Sequence, residues 1–175
     1  EIGYANRAAA RMYLGDVEGA IRDCNTGLEQ DNTPSGAALL YNNRGTARRM
    51  QSDFYEAMAD YNLALGMGLS PREKRMVHPS ILSNQGILYY VQDEYDQARA
   101  YFQKAQGVAP DFLKALAGLA VSRFKMKQIP EAQRIWMDLI KQEPRYRDQR
   151  YLQRELNWPM EMMGDAADLI ESMTA

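Results

Sequence analysis

The chain has few side chains of the kinds that perform covalent chemistry or bind metal ions. It contains one cysteine, Cys24, and one histidine, His78. A zinc site needs several His, Cys or carboxylate ligands that converge on the ion, and a nucleophile needs a neighbouring base. Nothing in the sequence identifies a partner for His78, which precedes Pro79 and is expected in an exposed loop. The sequence therefore predicts no catalytic residue, no metal site and no cofactor, and a protein that is not an enzyme.

The composition narrows the possible partners. The 175 residues include 21 basic and 23 acidic side chains, and the net charge is −2. Nucleic-acid-binding domains usually carry a clear basic excess, so we expect no nucleic-acid partner. The apolar runs fall short of the roughly 20 residues that a membrane span needs. No signal peptide is visible. We therefore expect a cytoplasmic protein, or an organellar or stromal one if an upstream targeting segment was removed.

Four stretches of the chain resemble one another. They cover residues 4–27, 41–64, 82–105 and, more weakly, 116–139, and each places an alanine at the same point. The aligned residues are Ala20, Ala57, Ala98 and Ala132, with spacings of 37, 41 and 34 residues. Self-similarity at such a period is typical of helical repeat proteins, and 34 is the bare tetratricopeptide period.

The markers inside these copies make the sequence similar to the tetratricopeptide repeat family. The third copy shows them best, as Leu82, Gly86, Tyr89, Tyr95, Ala98, Phe102, Ala105 and Pro110. The resemblance implies an all-α, right-handed α–α superhelix (a solenoid) of about four helix pairs, A and B. We expect repeats at about 1–34, 38–70, 79–110 and 113–144, with capping helices in 145–175. Cys24 replaces the usual aromatic residue and is expected to be buried.

Turn-forming residues predict where the repeats are joined. The run 33–36, Thr-Pro-Ser-Gly, is expected to form a loop between the first two repeats. The stretch 70–79 separates the second and third repeats. It is expected to extend a helix or to add a short turn, because Pro71 can begin a helix there and Pro79 can begin the next one.

The last thirty residues are expected to form two helices, broken at Trp158-Pro159. The second helix carries apolar residues at helical spacing, several of them methionines. One interpretation is a cap over the open end of the solenoid, which favours a monomer. The other is a methionine-rich docking surface. The aromatic-Pro pair before a final helix also resembles tails of cyanobacterial and chloroplast tetratricopeptide proteins.

In this family the A helices line a concave groove, which indicates where a partner would bind. Asn6, Asn43 and Asn84 fall at the same repeat position. Their amides could pair with the backbone of an extended peptide, or with a backbone group of the adjacent repeat. The full set of predicted partner-binding residues is Asn6, Tyr13, Asn42, Asn43, Arg49, Asn84, Tyr90, Lys114 and Phe124.

Two functions follow as hypotheses. The first is a scaffold or adaptor that binds a peptide or helix of a partner protein in the concave groove. The second is an assembly factor for a larger complex, including a photosynthetic one, that docks through the tail or the convex face. The carboxylate clamp that some family members use for chaperone tails is matched only by Asn43 in one register, or by Asn84 and Lys114 in another. Chaperone-tail binding is therefore not expected.

Overall fold

A computed structural model describes residues 2–30 and 33–173, and every regular element in this part of the chain is helical. Ten α-helices and one 3₁₀ helix follow one another in these two ranges. They are α1 (Ile2–Tyr13), α2 (Val17–Gln30), α3 (Pro34–Met50), α4 (Phe54–Gly66), α5 (Pro71–Tyr90), α6 (Tyr95–Val108), α7 (Leu113–Lys125), α8 (Ile129–Gln142), the 3₁₀ helix (Pro144–Arg147), α9 (Gln149–Leu156) and α10 (Met160–Glu171). The predicted all-α helical-repeat solenoid is confirmed.

The chain divides into two compact units. The N-terminal unit is Glu1–Asn84 and the C-terminal unit is Gln85–Ala175, so the division falls within α5. In the N-terminal unit α1 packs on α2, α2 on α3, and α3 on α4. In the C-terminal unit α6 packs on α7 and α7 on α8. Within each unit these helices therefore pack on their neighbours in sequence, as stacked helix pairs require.

The turn inside each helix pair has one geometry throughout the described chain. A residue with positive φ follows the A helix, and the next N–H donates a hydrogen bond back to a carbonyl of that helix, as Asp16 does to Arg11 at 2.9 Å. This is the αL ending that satisfies the last carbonyls of a helix. The positive-φ residues are Gly15, Ser52, Asp93 and Lys127, and their spacings of 37, 41 and 34 repeat those of the aligned alanines.

Small residues allow close contact between neighbouring helices, within a pair at Gly45 and between successive pairs at Gly118. A Cβ on Gly45 would lie 2.8 Å from the ring of Tyr61, and one on Gly118 would lie 2.4 Å from Phe102. Both rings are fully buried. Cys24 is fully buried at the corresponding position of the first repeat, as the sequence predicts. The side chains at this repeat position of the B helices therefore serve to pack the core.

The segment before the third repeat extends a helix, as one alternative predicted, but the predicted helix start at Pro79 is wrong. The helix α5 begins at Pro71 as expected but continues through Pro79, which is buried inside it and begins no new helix. A capping box explains the early start, because Ser70 N–H donates to Glu73 Oε2 at 2.8 Å while Glu73 N–H points to Ser70 Oγ at 3.3 Å. Proline also fixes φ near its helical value, so Pro79 removes a backbone hydrogen bond without requiring the helix to end. His78 therefore lies half-buried in a helix, and the exposed-loop prediction was wrong.

The predicted loop at 33–36 is likewise mostly helix. Pro34, Ser35 and Gly36 form the first turn of α3. Thr33 caps it, because its hydroxyl accepts a hydrogen bond from the Gly36 N–H at 3.1 Å. A threonine cap followed by proline is a strong helix start, and the loop interpretation overlooked it.

The tail packs on the last helix pair through aromatic and apolar contacts. Tyr146 of the 3₁₀ helix lies edge-on to Trp136 and to Tyr151, with centroid distances of 6.3 and 5.6 Å. Asn157 ends α9 in the left-handed conformation. The helix α10 contacts α7 and α8 and buries Met162, Ala166 and Leu169 completely.

Candidate functional site

The predicted asparagine ladder is mostly engaged inside the N-terminal unit. Asn43 Nδ2 donates to the Ala5 carbonyl at 2.9 Å. Asn84 Nδ2 donates to Asn42 Oδ1 at 2.9 Å and to Thr46 Oγ1 at 3.3 Å. These bonds connect each A helix to the one before it. The side chain of Asn6 is exposed.

The face of α3 next to these bonds is polar and nearly closed to solvent. Asn42, Thr46 and Arg49 are each 8% exposed and lie at i, i+4 and i+7, so they share one side of the helix. The Thr46 hydroxyl donates to the Asn42 carbonyl at 3.0 Å and lies 3.3 Å from the hydroxyl of Tyr61. Burial raises the pKa of Tyr61, and the nearby Arg49 opposes that rise.

Arg49 differs from the other arginines of α1 and α3. Arg44 Nη2 lies 2.7 Å from Asp60, and Arg48 Nη1 lies 2.8 Å from the same carboxylate. Arg49, in contrast, has no acidic partner within the described residues, and its buried Nε has no hydrogen-bond partner. A side-chain hydrogen bond joins Arg49 to Tyr61, so part of its guanidinium is satisfied inside the unit.

The repeat position that follows Arg49 in sequence carries two exposed apolar side chains. Tyr13 of α1 is 69% exposed, and Met50 of α3 is 41% exposed. They are 37 residues apart, which is the spacing of the first two repeats, so they occupy one repeat position. The N-terminal unit thus carries a face, which we call the A face, with exposed apolar groups next to the nearly buried polar row. The A face consists of Asn6, Tyr13, Asn42, Thr46, Arg49 and Met50.

The corresponding positions of the C-terminal unit are covered by the chain itself. Tyr90 is fully buried, and its hydroxyl donates to Asp165 Oδ2 of α10 at 2.6 Å. Lys125 Nζ lies 3.3 Å from the same carboxylate and 3.8 Å from Glu161. Burial is the main cause that raises the pKa of Tyr90, and the hydrogen bond to Asp165 raises it further. The helix α10 therefore occupies this surface.

Two further predicted residues lie in the C-terminal unit. The side chains of Lys114 and Phe124, both on α7, are half-buried. The sequence analysis did not predict the acidic partners of Tyr90 and Lys125 on α10. The signal was the i, i+4 spacing of Glu161 and Asp165 on a helix without basic residues, since such a pair can meet a lysine across a helix interface.

A cleft lies between the two tail helices. It has a volume of about 440 Å³, and its walls come from α9, α10 and the turn between them. Met160 at its rim is 92% exposed. The lining residues are Gln149, Leu152, Gln153, Asn157, Trp158, Met160, Met163, Gly164 and Ala167.

The environments of Cys24 and His78 do not favour chemistry. Burial raises the pKa of the Cys24 thiol to about 12, so the reactive thiolate is scarce at neutral pH. Burial and the neighbouring Lys74 lower the pKa of His78. Within residues 2–30 and 33–173, no three His, Cys, Asp or Glu side chains are grouped so that they could hold a metal ion. No helix in the same ranges combines the length and the apolar character of a membrane span.

The comparisons with known proteins agree with the helix-pair geometry. A family model described as "Tetratricopeptide repeat" matches residues 91–156. Residues 91–156 are therefore similar to tetratricopeptide repeats. No curated protein sequence matches it significantly.

Solved structures of tetratricopeptide proteins share the fold. The crystal structure of MamA has a TM-score of 0.62 at 18% identity, and the match covers 81% of this chain and 77% of that one. A tetratricopeptide repeat protein from Parabacteroides merdae ATCC 43184 has a TM-score of 0.62 at 22% identity and covers 98% of this chain and 63% of that one. YrrB, described as "a TPR protein with an unusual peptide-binding site", has a TM-score of 0.56 at 20% identity and covers 95% and 84%. The match of residues 91–156 to the tetratricopeptide repeat model supports protein interaction as the general role of the chain.

Proposed function

We propose that this protein is an adaptor that binds a segment of a partner protein on the A face of its N-terminal unit. The observation that carries the proposal is the contrast between the two units. Tyr13 and Met50 are exposed on the A face, whereas Lys125, at the same repeat position in the C-terminal unit, is half-buried and pairs with Asp165 of α10. The A face is therefore open to a partner, while the corresponding surface of the C-terminal unit already holds a helix.

The chemistry of the A face suits a peptide or helix. Exposed apolar and aromatic side chains supply contact area, and neighbouring polar groups fix orientation. The peptide-binding site of YrrB, which has the same fold, is consistent with this use of the repeats. Asn43 and Asn84 are occupied by neighbouring helices, so in this proposal they hold the A face together and contribute little direct contact.

Site-specific photocrosslinking in cells that express the protein tests the proposal. A photoreactive phenylalanine analogue replaces Tyr13 or Met50 on the A face, and Tyr55 of α4 serves as the matched control. Tyr55 is an aromatic residue that is 83% exposed but belongs to a B helix. We expect a protein adduct from positions 13 and 50 and none from position 55.

A fourth position distinguishes the second candidate function. The exposed Met160 marks the cleft between α9 and α10, which is the surface that an assembly factor docking through its tail would use. An adduct from position 160 alone would overturn the A-face proposal and favour tail docking. Equal adducts from positions 13 and 55 would also contradict the proposal, because they would indicate contact without a preferred face.

A further inference from the structure

We propose that two copies of this chain associate through their tails to form a dimer with two-fold symmetry. The contact surface, which we call the tail surface, consists of the residues that line the cleft between α9 and α10 together with Arg150, Arg154 and Asp168. It shares no residue with the A face, so this inference goes beyond the proposed function and does not depend on it.

The centre of the tail surface is apolar and open to solvent. Leu152, Trp158 and Met163 are among the residues that line the cleft of about 440 Å³. Met160 at its rim is 92% exposed. An exposed apolar side chain beside an apolar cleft is self-complementary, because in a two-fold contact the Met160 of each copy can enter the cleft of the other. The unbranched methionine side chain is flexible enough to fill such a space.

The α9 side of the tail surface carries positive charge that the chain itself does not neutralise. Arg150 and Arg154 are exposed, lie four residues apart on one side of α9, and each follow a glutamine that lines the cleft. Arg154 Nε donates to the Arg150 carbonyl at 3.4 Å, and neither guanidinium forms a salt bridge within the described residues. Arg145, in contrast, lies 2.7 Å from Glu143. The two arginines of α9 are therefore open to an acid from another molecule.

The α10 side of the tail surface carries negative charge. This helix contains four acidic residues and no basic one. Glu161 and Asp165 pair with Lys125 at 3.8 and 3.3 Å. Asp168 is exposed beside a residue that lines the cleft, and its carboxylate forms no salt bridge in the part of the chain that the structure describes. One chain therefore presents unpaired charges of opposite sign on the two helices that form one apolar cleft.

A second copy of this chain fits both signs at once. In a two-fold contact, what one copy presents to the other it also receives, so the arginines of each α9 can face Asp168 of the other copy. An apolar centre with charged residues around it is also the usual anatomy of a protein interface. An acidic partner would meet the acidic α10, and a basic partner would meet the arginines of α9. Like charges oppose association, so both of these partners fit less well.

The dimer is compatible with the cap that led us to expect a monomer. The cap needs only the side of α10 that carries the fully buried Met162 and Leu169. Met160 and Met163 lie on another side of the same helix, and both line the cleft. Covering the end of the solenoid therefore leaves the tail surface uncovered.

Sedimentation equilibrium of the full chain over a range of concentrations tests the proposal. We expect the mean mass to rise from the 20.0 kDa of one chain to twice that value and no further, because a two-fold contact closes on itself. A high salt concentration should move this rise to higher protein concentrations, since salt screens the charged pairs. A mass that stays at one chain up to about 1 mM, or growth beyond two chains, would overturn the proposal.

Charge reversal shows whether the two charged sides meet. Arg150→Glu/Arg154→Glu and Asp168→Lys each place like charges together in a homodimer, so each is expected to raise the dissociation constant at least about tenfold. An equal mixture of the two variants restores opposite charges at both contacts and is expected to dimerise as tightly as the wild type. Arg22→Glu/Arg134→Glu, at exposed arginines of α2 and α8, gives the same net charge as the first variant and should dimerise like the wild type.

The outcomes of the charge reversal are separable from misfolding. Recovery of the dimer in the mixture requires both variants to be folded, and circular dichroism checks the helix content of each. Unchanged dimers in either variant would contradict the proposal, and so would a mixture of folded variants that stays monomeric. Equal weakening by Arg22→Glu/Arg134→Glu would assign the effect to net charge and would also contradict it.

Photocrosslinking of the purified chain separates a second copy from other occupants. The photoreactive analogue at position 160 is expected to give a product of twice the chain mass, and the same analogue at position 55 none. Adducts from position 160 that contain only a different protein would assign the cleft to that protein and refute the dimer. Adducts from positions 13 and 50 report on the A face alone, so a failure of either proposal is recognised separately.

Discussion

The two units of the molecule build the same helix pair from different side chains. In the N-terminal unit each A helix faces its B helix through two arginines that share one aspartate. Asp60 is 1% exposed in this arrangement and Asp23 is 7% exposed. In the C-terminal unit the corresponding positions of the third repeat hold Tyr89 and Tyr101, whose rings lie 5.1 Å apart. The helix-pair geometry therefore requires contact at these positions but not a particular chemistry.

The same contrast extends to the aromatic position of the B helix. It holds Cys24 in the first repeat and Trp136 in the fourth, and both side chains are fully buried. A cysteine fills much less volume than a tryptophan, so the residues that surround this position must differ between the two repeats. Interiors packed to crystal-like density allow this exchange only when the neighbours change as well.

The largest expected effect comes from Trp136→Ala. Removing a fully buried indole is expected to lower the free energy of unfolding by about 3–5 kcal/mol, because it leaves a cavity next to Tyr146. Cys24→Ala at the same repeat position is expected to cost about 1 kcal/mol, since it removes one sulfur atom. Urea unfolding combined with hydrogen exchange in each unit measures both. Equal losses would show that the repeat position, and not the residue volume, sets the cost.

Much of the fold could be predicted from the sequence because its signals are local and repeated. The alanine spacing of 37, 41 and 34 residues recurs in the positive-φ turns, and Cys24 is buried as predicted. The helix start at Thr33 and the passage of α5 through Pro79 were missed. The first depends on the bond from the Gly36 N–H to the Thr33 hydroxyl, and the second on a helix that already begins at Pro71, where Ser70 and Glu73 form a capping box.

The candidate site was less predictable, because its contacts are not local. An asparagine at a groove position can bind a ligand or a neighbouring helix with the same atoms, and only the 2.9 Å bond from Asn43 to Ala5 shows that this amide is engaged. The burial of Tyr90 depends on Asp165, which lies 75 residues away. Arg49 likewise stands apart from Arg44 and Arg48 only once their shared contact with Asp60 is known.

The next largest effect tests the charged contact of the N-terminal unit. Asp60→Asn leaves the side chains of Arg44 and Arg48, 16% and 23% exposed, without their carboxylate. Breaking a buried ion pair by removing one partner costs about 3 kcal/mol. Chemical denaturation of the variant checks this value. Tyr101→Phe, at the same repeat position of the C-terminal unit, is expected to cost less than about 1 kcal/mol because the ring contact remains. The comparison between charged and aromatic contacts fails if the two losses are equal.

The smallest effect is a pH dependence confined to the N-terminal unit. The hydrogen bond from Arg7 lowers the pKa of Asp23, so its carboxylate stabilises the folded state above the unfolded pKa of about 3.9. That stability is lost as the pH falls through the lower folded value. Because the Arg7 side chain is 55% exposed, we expect Asp23→Asn to cost only about 1 kcal/mol at pH 7.

Unfolding of the wild type and of Asp23→Asn, followed from about pH 7 into the acidic range below the unfolded pKa of aspartate, measures the dependence. The difference between the two proteins should be constant near neutrality and should shrink in the acidic range, where both come to hold a neutral side chain at position 23. Tyr101→Phe provides the contrast from the other unit. This substitution neither adds nor removes a carboxylate, so its difference from the wild type should not change over this range. A constant difference for Asp23→Asn would mean that the charge of this aspartate does not stabilise the first repeat, and that its neutral hydrogen-bonding capacity does.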